Sequence, residues 1–119
     1  MVEDLEKKGA IFIEDLDEVP EGARIIYSAH GIPPSVRDHA KRRNLIEIDA
    51  SCGLVIRVHS AAKRYAKKGY HILLIGHKNH VEVVGTAGEA PEDTTIIESV
   101  KDVEKLSFPL EQRLFYTTQ

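Results

Sequence analysis

The segment Tyr70-His71-Ile72-Leu73-Leu74-Ile75 constrains this chain most. Four apolar residues follow one another from Ile72 with no polar alternation. A strand with one wet face alternates, whereas an unbroken apolar run suits burial on both faces, as in a parallel, helix-covered sheet. The preceding residues point the same way. Between Gly53 and Lys68, Leu54, Val55, Val58, Ala61, Ala62, Tyr65 and Ala66 recur at spacings of three and four, which gives a helix one apolar face. Gly69 stops that helix and feeds the strand.

The same alternation recurs along the chain. Val2 to Lys8 reads as a short helix closed by Gly9, and Ala10 to Ile13 as a short strand. Leu16 to Gly22 is a loop broken by Pro20 and Gly22. Arg24 to Ala29 and Leu45 to Ala50 read as strands. Between them, Pro33-Pro34-Ser35 opens a helix through about Arg43, with Asn44 at its C-terminal end. His80 to Gly85 fits either a short helix or an extended segment, and Gly85 to Asp93 is a loop. Thr94 to Ile97 is a strand, and Ser99 to Leu106 a helix with Ser99 and Asp102 as a capping box. Arg113 to Thr118 is a last strand. Strand, helix, strand at this rhythm predicts βαβ units and a parallel-sheet, three-layer α/β/α fold, with residues 1–119 forming one α/β domain.

Composition sets the outer limits. A chain of 119 residues with 42% hydrophobic and 29% charged side chains buries a sizeable core. The net charge of −3 provides no electrostatic footprint for nucleic acid. The basic clusters Lys41-Arg42-Arg43 and Lys63-Arg64 with Lys67-Lys68 sit near helix C-termini, where they complement the helix dipole. No stretch approaches the ~20 apolar residues of a membrane span. The acidic start, Met1-Val2-Glu3-Asp4-Leu5-Glu6, is unlike a signal peptide. One cysteine excludes an intrachain disulfide framework, so the expected compartment is the cytoplasm. Neither G-x-G-x-x-G nor a P-loop occurs, which removes support for a dinucleotide or ATP site.

In open parallel sheets, ligands collect beyond the C-terminal ends of the strands. Three loops leave such ends: Ser28-Ala29-His30-Gly31, Ala50-Ser51-Cys52-Gly53 and Gly76-His77-Lys78-Asn79-His80. Cys52 precedes a helix, a position that favours the thiolate, which is the form that attacks and binds metal. Its other reading is a small buried apolar residue. His30 either meets an anion or caps its turn. His80 and Glu82 lie two apart and, if extended, share a face on which an acid and an imidazole relay protons; otherwise they are an exposed loop pair. His39, His59 and His71 read as surface residues, and His77 as structural.

Taken together, these segments resemble the LytB family, the hydroxymethylbutenyl diphosphate reductases of the non-mevalonate isoprenoid route. The resemblance spans essentially the whole chain. It is carried by Tyr27-Ser-Ala-His-Gly-Ile-Pro-Pro-Ser-Val-Arg37, Ile48-Asp-Ala-Ser-Cys-Gly-Leu-Val55 and Leu74-Ile-Gly-His-Lys-Asn-His-Val-Glu-Val-Val-Gly-Thr86. It implies a reductive dehydroxylation that yields isopentenyl and dimethylallyl diphosphates on a [4Fe-4S] cluster held by three cysteines of a longer chain. By the same resemblance Cys52 is the middle cluster ligand, His30 and His80 bind the substrate diphosphate, and Glu82 delivers the proton. Thiolates suit iron–sulfur clusters, and imidazole N–H groups suit phosphate oxygens.

Departures from the family pattern accompany it. The first and third cluster cysteines are absent, as is the upstream His-Asn motif. Gly53 stands where proline is usual, Ile56 where threonine or serine is usual, and Val81 between His80 and Glu82 where proline is usual. Ala87-Gly88-Glu89 replaces Met-Gly-Gln. The expectation is therefore a middle portion of the reductase, excised or engineered, that holds no cluster and is inactive alone. The alternative is an α/β scaffold that has lost the chemistry. Faces that once met other parts of the enzyme are expected to be apolar and to favour a homodimer.

Overall fold

A computed structural model describes residues 2–119. Its strands are Arg24–Tyr27 (β1), Ile46–Asp49 (β2), His71–Ile75 (β3), Thr94–Ile97 (β4) and Leu114–Thr118 (β5). Its helices are Val2–Glu6 (α1), Pro34–Arg42 (α2), Gly53–Lys67 (α3), Val81–Gly88 (α4) and Val100–Glu104 (α5), with single 3-10 turns at Leu16–Glu18 and Pro91–Asp93. Every strand pair is parallel, so the chain is α/β as its rhythm predicts.

The strands fall into two sheets rather than one continuous sheet. Among the described residues β1 pairs only with β2, from Arg24 opposite Ile46 to Tyr27 opposite Asp49. The second sheet has the order β4-β3-β5, with Ile75 opposite both Ile97 and Thr118. The radius of gyration is 16.7 Å. A compact chain of this length would have about 13.5 Å, so the two sheets lie along an elongated body.

The central place of β3 explains its apolar run, though not on both faces. Ile72 and Leu74 are fully buried, Leu73 is half-buried and Ile75 is 43% exposed. Helices α3 and α4 and the short α5 pack on this sheet, and Val83 of α4 completes its core. Around the first sheet, Val19, Ile25, Tyr27, Ala40 and Leu45 form a second core. Two left-handed residues end the longer helices, Asn44 (φ 54) after α2 and Gly69 (φ +80) after α3; both satisfy the orphan carbonyls of a last turn.

The expected strand at Ala10 to Ile13 does not form. That stretch has no ladder partner among the described residues, and Ile11 is 86% exposed. The ambiguous segment at His80 resolves as a helix, because His80 caps it: its Nδ1 accepts from the Glu82 backbone N–H at 3.2 Å.

Candidate functional site

Three strand-to-helix loops build the site, and backbone hydrogen bonds set their positions. The parallel ladder of β1 and β2 continues one step beyond the strands, where Ala50 N–H donates to the Tyr27 carbonyl at 3.2 Å. Cys52 N–H then donates to the Ala29 carbonyl at 2.9 Å, which ties the thiol's loop to the loop of His30. Asp49 shapes the same turn, accepting from Ser51 N–H at 3.0 Å and from the Arg37 guanidinium at 2.6 Å. The Ser51 and Arg37 hydrogen bonds hold the Asp49 carboxyl at about 2. Beneath it, the Tyr27 hydroxyl donates to Glu47 at 2.7 Å, and burial together with that bond pushes its phenol up.

From the second sheet, the loop after β3 leads into α4. Gly76 admits the close approach of Val83: a Cβ there would stand 2.7 Å from Val83 Cγ2. His80 thereby reaches the neighbourhood of His30, with ring centroids 6.4 Å apart and the planes at 86°. Because His80 Nδ1 accepts a backbone proton, a neutral ring carries its own proton on Nε2 and donates from there. The His30 ring lies 3.4 Å from Ser28 Oγ.

A cleft of about 380 Å³ opens between these loops. His30, Cys52 and Glu82 all line it, so residues from both sheets converge as the strand-end rule predicts. His80 joins through its contact with the His30 ring rather than by lining the cleft. Glu82 follows the His80 cap in the first turn of α4, so the bond between them uses Glu82's backbone rather than its carboxylate. Cys52 is exposed and caps α3 with its backbone alone, which removes the reading of a buried apolar thiol.

Three further residues escaped the sequence reading. Thr118 and Gln119 line the cleft from the end of β5, whose parallel register with β3 carries them to the same edge. Gln119 also receives His77 N–H on its Oε1 at 3.3 Å. His59 is no surface residue: it is buried, with its Nδ1 3.1 Å from Glu89 Oε1. A signal for this was present: it stands four residues after Val55 and three before Ala62, on the apolar face of α3.

Among the described residues, no three His, Cys, Asp or Glu side chains gather closely enough to hold a metal ion. Cys52 is the single thiol, so this chain's donors do not by themselves match the set of thiolates that an iron–sulfur cluster requires. Nor is any helix among them long and apolar enough to cross a membrane.

The arrangement defines a parallel α/β protein with a thiol, two imidazoles and a carboxyl at one strand-end cleft. Its family is specific: the model of the LytB protein family matches residues 1–119, and the chain belongs to that family. A 4-hydroxy-3-methylbut-2-enyl diphosphate reductase of Protochlamydia amoebophila (strain UWE25) is 66% identical over all of this chain and 38% of its own length. The enzyme of that name from Chlamydia pneumoniae is 65% identical over the same shares. The structure of the E-1-hydroxy-2-methyl-but-2-enyl-4-diphosphate reductase from Plasmodium falciparum superposes with a TM-score of 0.97 at 60% identity. That match covers 98% of this chain and 37% of the Plasmodium chain. The chain thus spans well under half the length of these relatives.

Proposed function

We propose that these residues form one wall of the active site of a hydroxymethylbutenyl diphosphate reductase. The observation that carries this reading is the convergence of His30, Cys52 and Glu82, from two sheets, on one cleft, with the His80 ring against that of His30. His80 Nε2–H and the His30 ring donate to oxygens of the substrate diphosphate. Glu82, half-buried at the cleft wall, supplies the carboxyl that delivers a proton to the substrate. Cys52, exposed at the head of α3, is one thiolate of a cluster whose other ligands lie outside these 119 residues.

The test places these residues in a whole enzyme. The 119-residue stretch replaces its counterpart in the Chlamydia pneumoniae reductase, and the chimaera is reconstituted anaerobically with iron and sulfide. The expected chimaera turns over and holds about four irons, as a [4Fe-4S] cluster requires. Cys52→Ser loses iron, Glu82→Gln keeps iron and loses turnover, and His30→Ala raises KM. Full activity in Cys52→Ser or Glu82→Gln would refute the assignment.

A second reading has a specific observation behind it. Ile26, Ile46 and Ile48 on the first sheet are 69%, 52% and 47% exposed. By register, Ile26 pairs with Ile48 while Ile46 pairs with Arg24, so the three share one sheet face. An uncovered apolar face of this kind finds a partner, and for the 119-residue chain that partner is a second copy. Sedimentation should show a dimer that Ile26→Lys converts to monomer; a wild-type monomer at all concentrations would overturn it.

A further inference from the structure

His59 is a buried imidazole that the proposed chemistry does not use. It does not line the cleft of His30 and Cys52; with Glu89 it lines a separate groove behind α3. Its Nδ1 faces the Glu89 carboxylate at 3.1 Å, and since a carboxylate only accepts, Nδ1 bears the proton. The opposite edge of the ring, Cε1 and Nε2, has no hydrogen-bond partner among the described residues. That edge meets two glycines instead. A Cβ on Gly31 would lie 3.1 Å from Cε1 and 3.3 Å from Nε2, and a Cβ on Gly85 3.1 Å and 3.2 Å from the same atoms.

Those glycines belong to the two elements that carry the site histidines. Gly31 directly follows His30, and Gly85 lies in the helix that His80 caps. The ring edge is therefore a spacer between the His30 turn and α4, and Glu89, just past the end of α4, locks its orientation. The absence of Cβ atoms at both contacts lets the backbones come this close. We propose that His59, held by Glu89, is a positioning residue that sets the separation of His30 from His80. This rests on the reading of those histidines as a diphosphate site.

The test measures spacing and binding separately on the 119-residue chain. Through-space NMR contacts between the His30 and His80 rings report the spacing, and calorimetric titration with inorganic pyrophosphate reports binding. Glu89→Gln keeps an acceptor for Nδ1–H and should retain the ring contacts, with pyrophosphate affinity within about twofold of wild type, whereas Glu89→Leu should lose the contacts and weaken binding about tenfold. His59→Gln provides the same comparison should Glu89→Leu not fold. Ala40→Gly, in α2, destabilises the chain without touching the ring and should leave both readouts unchanged. Ring contacts that persist in Glu89→Leu and His59→Gln would overturn the proposal. If wild type itself fails to bind pyrophosphate, the diphosphate reading falls while the ring contacts still decide the positioning role.

Discussion

Replacing Gly31 by alanine should cost far more than the same change at Gly69, although both glycines have nearly the same backbone angle. Gly31 has φ +78 and Gly69 φ +80. An L-residue held in that region costs about 1–2 kcal/mol, and this is common to both. Around Gly69 no atom of the described residues beyond its chain neighbours lies within 4 Å of an added Cβ, so Gly69→Ala carries only that term. At Gly31 the new Cβ would stand 2.8 Å from Val55 Cγ1, in addition to the His59 contacts. Valine in a helix is stiff at χ1 and cannot turn away freely. Overpacking of this kind adds about 1–3 kcal/mol. Gly31→Ala should thus lose about 2–5 kcal/mol against about 1–2 for Gly69→Ala. Urea unfolding with unchanged slopes reads the difference directly. Val55→Ala introduced beside Gly31→Ala should recover part of the loss, giving a coupling of about 1 kcal/mol. Equal costs at the two glycines would refute the close approach of α3 to the His30 turn, and with it the wedge geometry of His59.

Other consequences are quickly checked. The folded Asp49 carboxyl lies at about 2, below its unfolded value; its contribution is therefore present above about pH 4 and is lost as pH falls through about 2. About a third of that side chain is exposed, so solvent screening holds the contribution to about 1 kcal/mol or less, and Asp49→Asn should flatten the acid limb of the stability curve without shifting its neutral part by more. Cys52→Ala should change the melting temperature of the 119-residue chain by no more than about 2 °C, since an exposed side chain with no cap bond leaves within about 0.5 kcal/mol. Ile72→Ala should cost about 2–5 kcal/mol and Ile75→Ala under about 1 kcal/mol by urea unfolding, because the first is fully buried and the second 43% exposed.

The fold was legible where local pattern and tertiary demand coincide. The α3 face and the glycine after α3 each state in sequence what packing then uses, whereas the β3 run implied burial on both faces and only Ile72 and Leu74 are fully buried. The edge at which Cys52, His30 and His80 gather was legible for a topological reason: parallel strands send their following loops to one side. Two features were not. The apolar stretch Ile11-Phe12-Ile13 has the composition of a strand, but a strand exists only with a ladder partner, and none lies beside it. The division of five strands into two sheets is a fact of pairing between distant residues, which periodicity along the chain does not encode.

His59 shows a further limit. On the α3 wheel it lies between Val55 and Ala62, so its burial follows from the apolar face, whereas the room for its ring depends on two missing Cβ atoms, at Gly31 and Gly85, 28 and 26 positions away. Thr118 and Gln119 are similar, since only the β3–β5 register places them on the cleft.

The surroundings of Cys52 say what the cleft still needs. The thiol is exposed, and Leu54, in the first turn of α3 and part of the cleft wall, is 69% exposed. Electrostatic interactions strengthen when water is excluded, and an acid that must hold and release one proton works best in such a space. Here the apolar lining is present and the cover is not: the cleft has a floor from α3 and α4 and a rim at Thr118 and Gln119, with Leu54 turned toward solvent. On the proposed reading, the residues that would bind a diphosphate head lie within these 119 positions, whereas those that would dry the thiol and complete its ligand set would approach over Leu54. Leu54→Lys should accordingly leave pyrophosphate binding by the 119-residue chain within about twofold, and should cost the reductase chimaera its iron and turnover, because a charge buried there without a partner is strongly unfavourable. A chimaera that keeps both with lysine at position 54 would show that nothing closes over the thiol from that side.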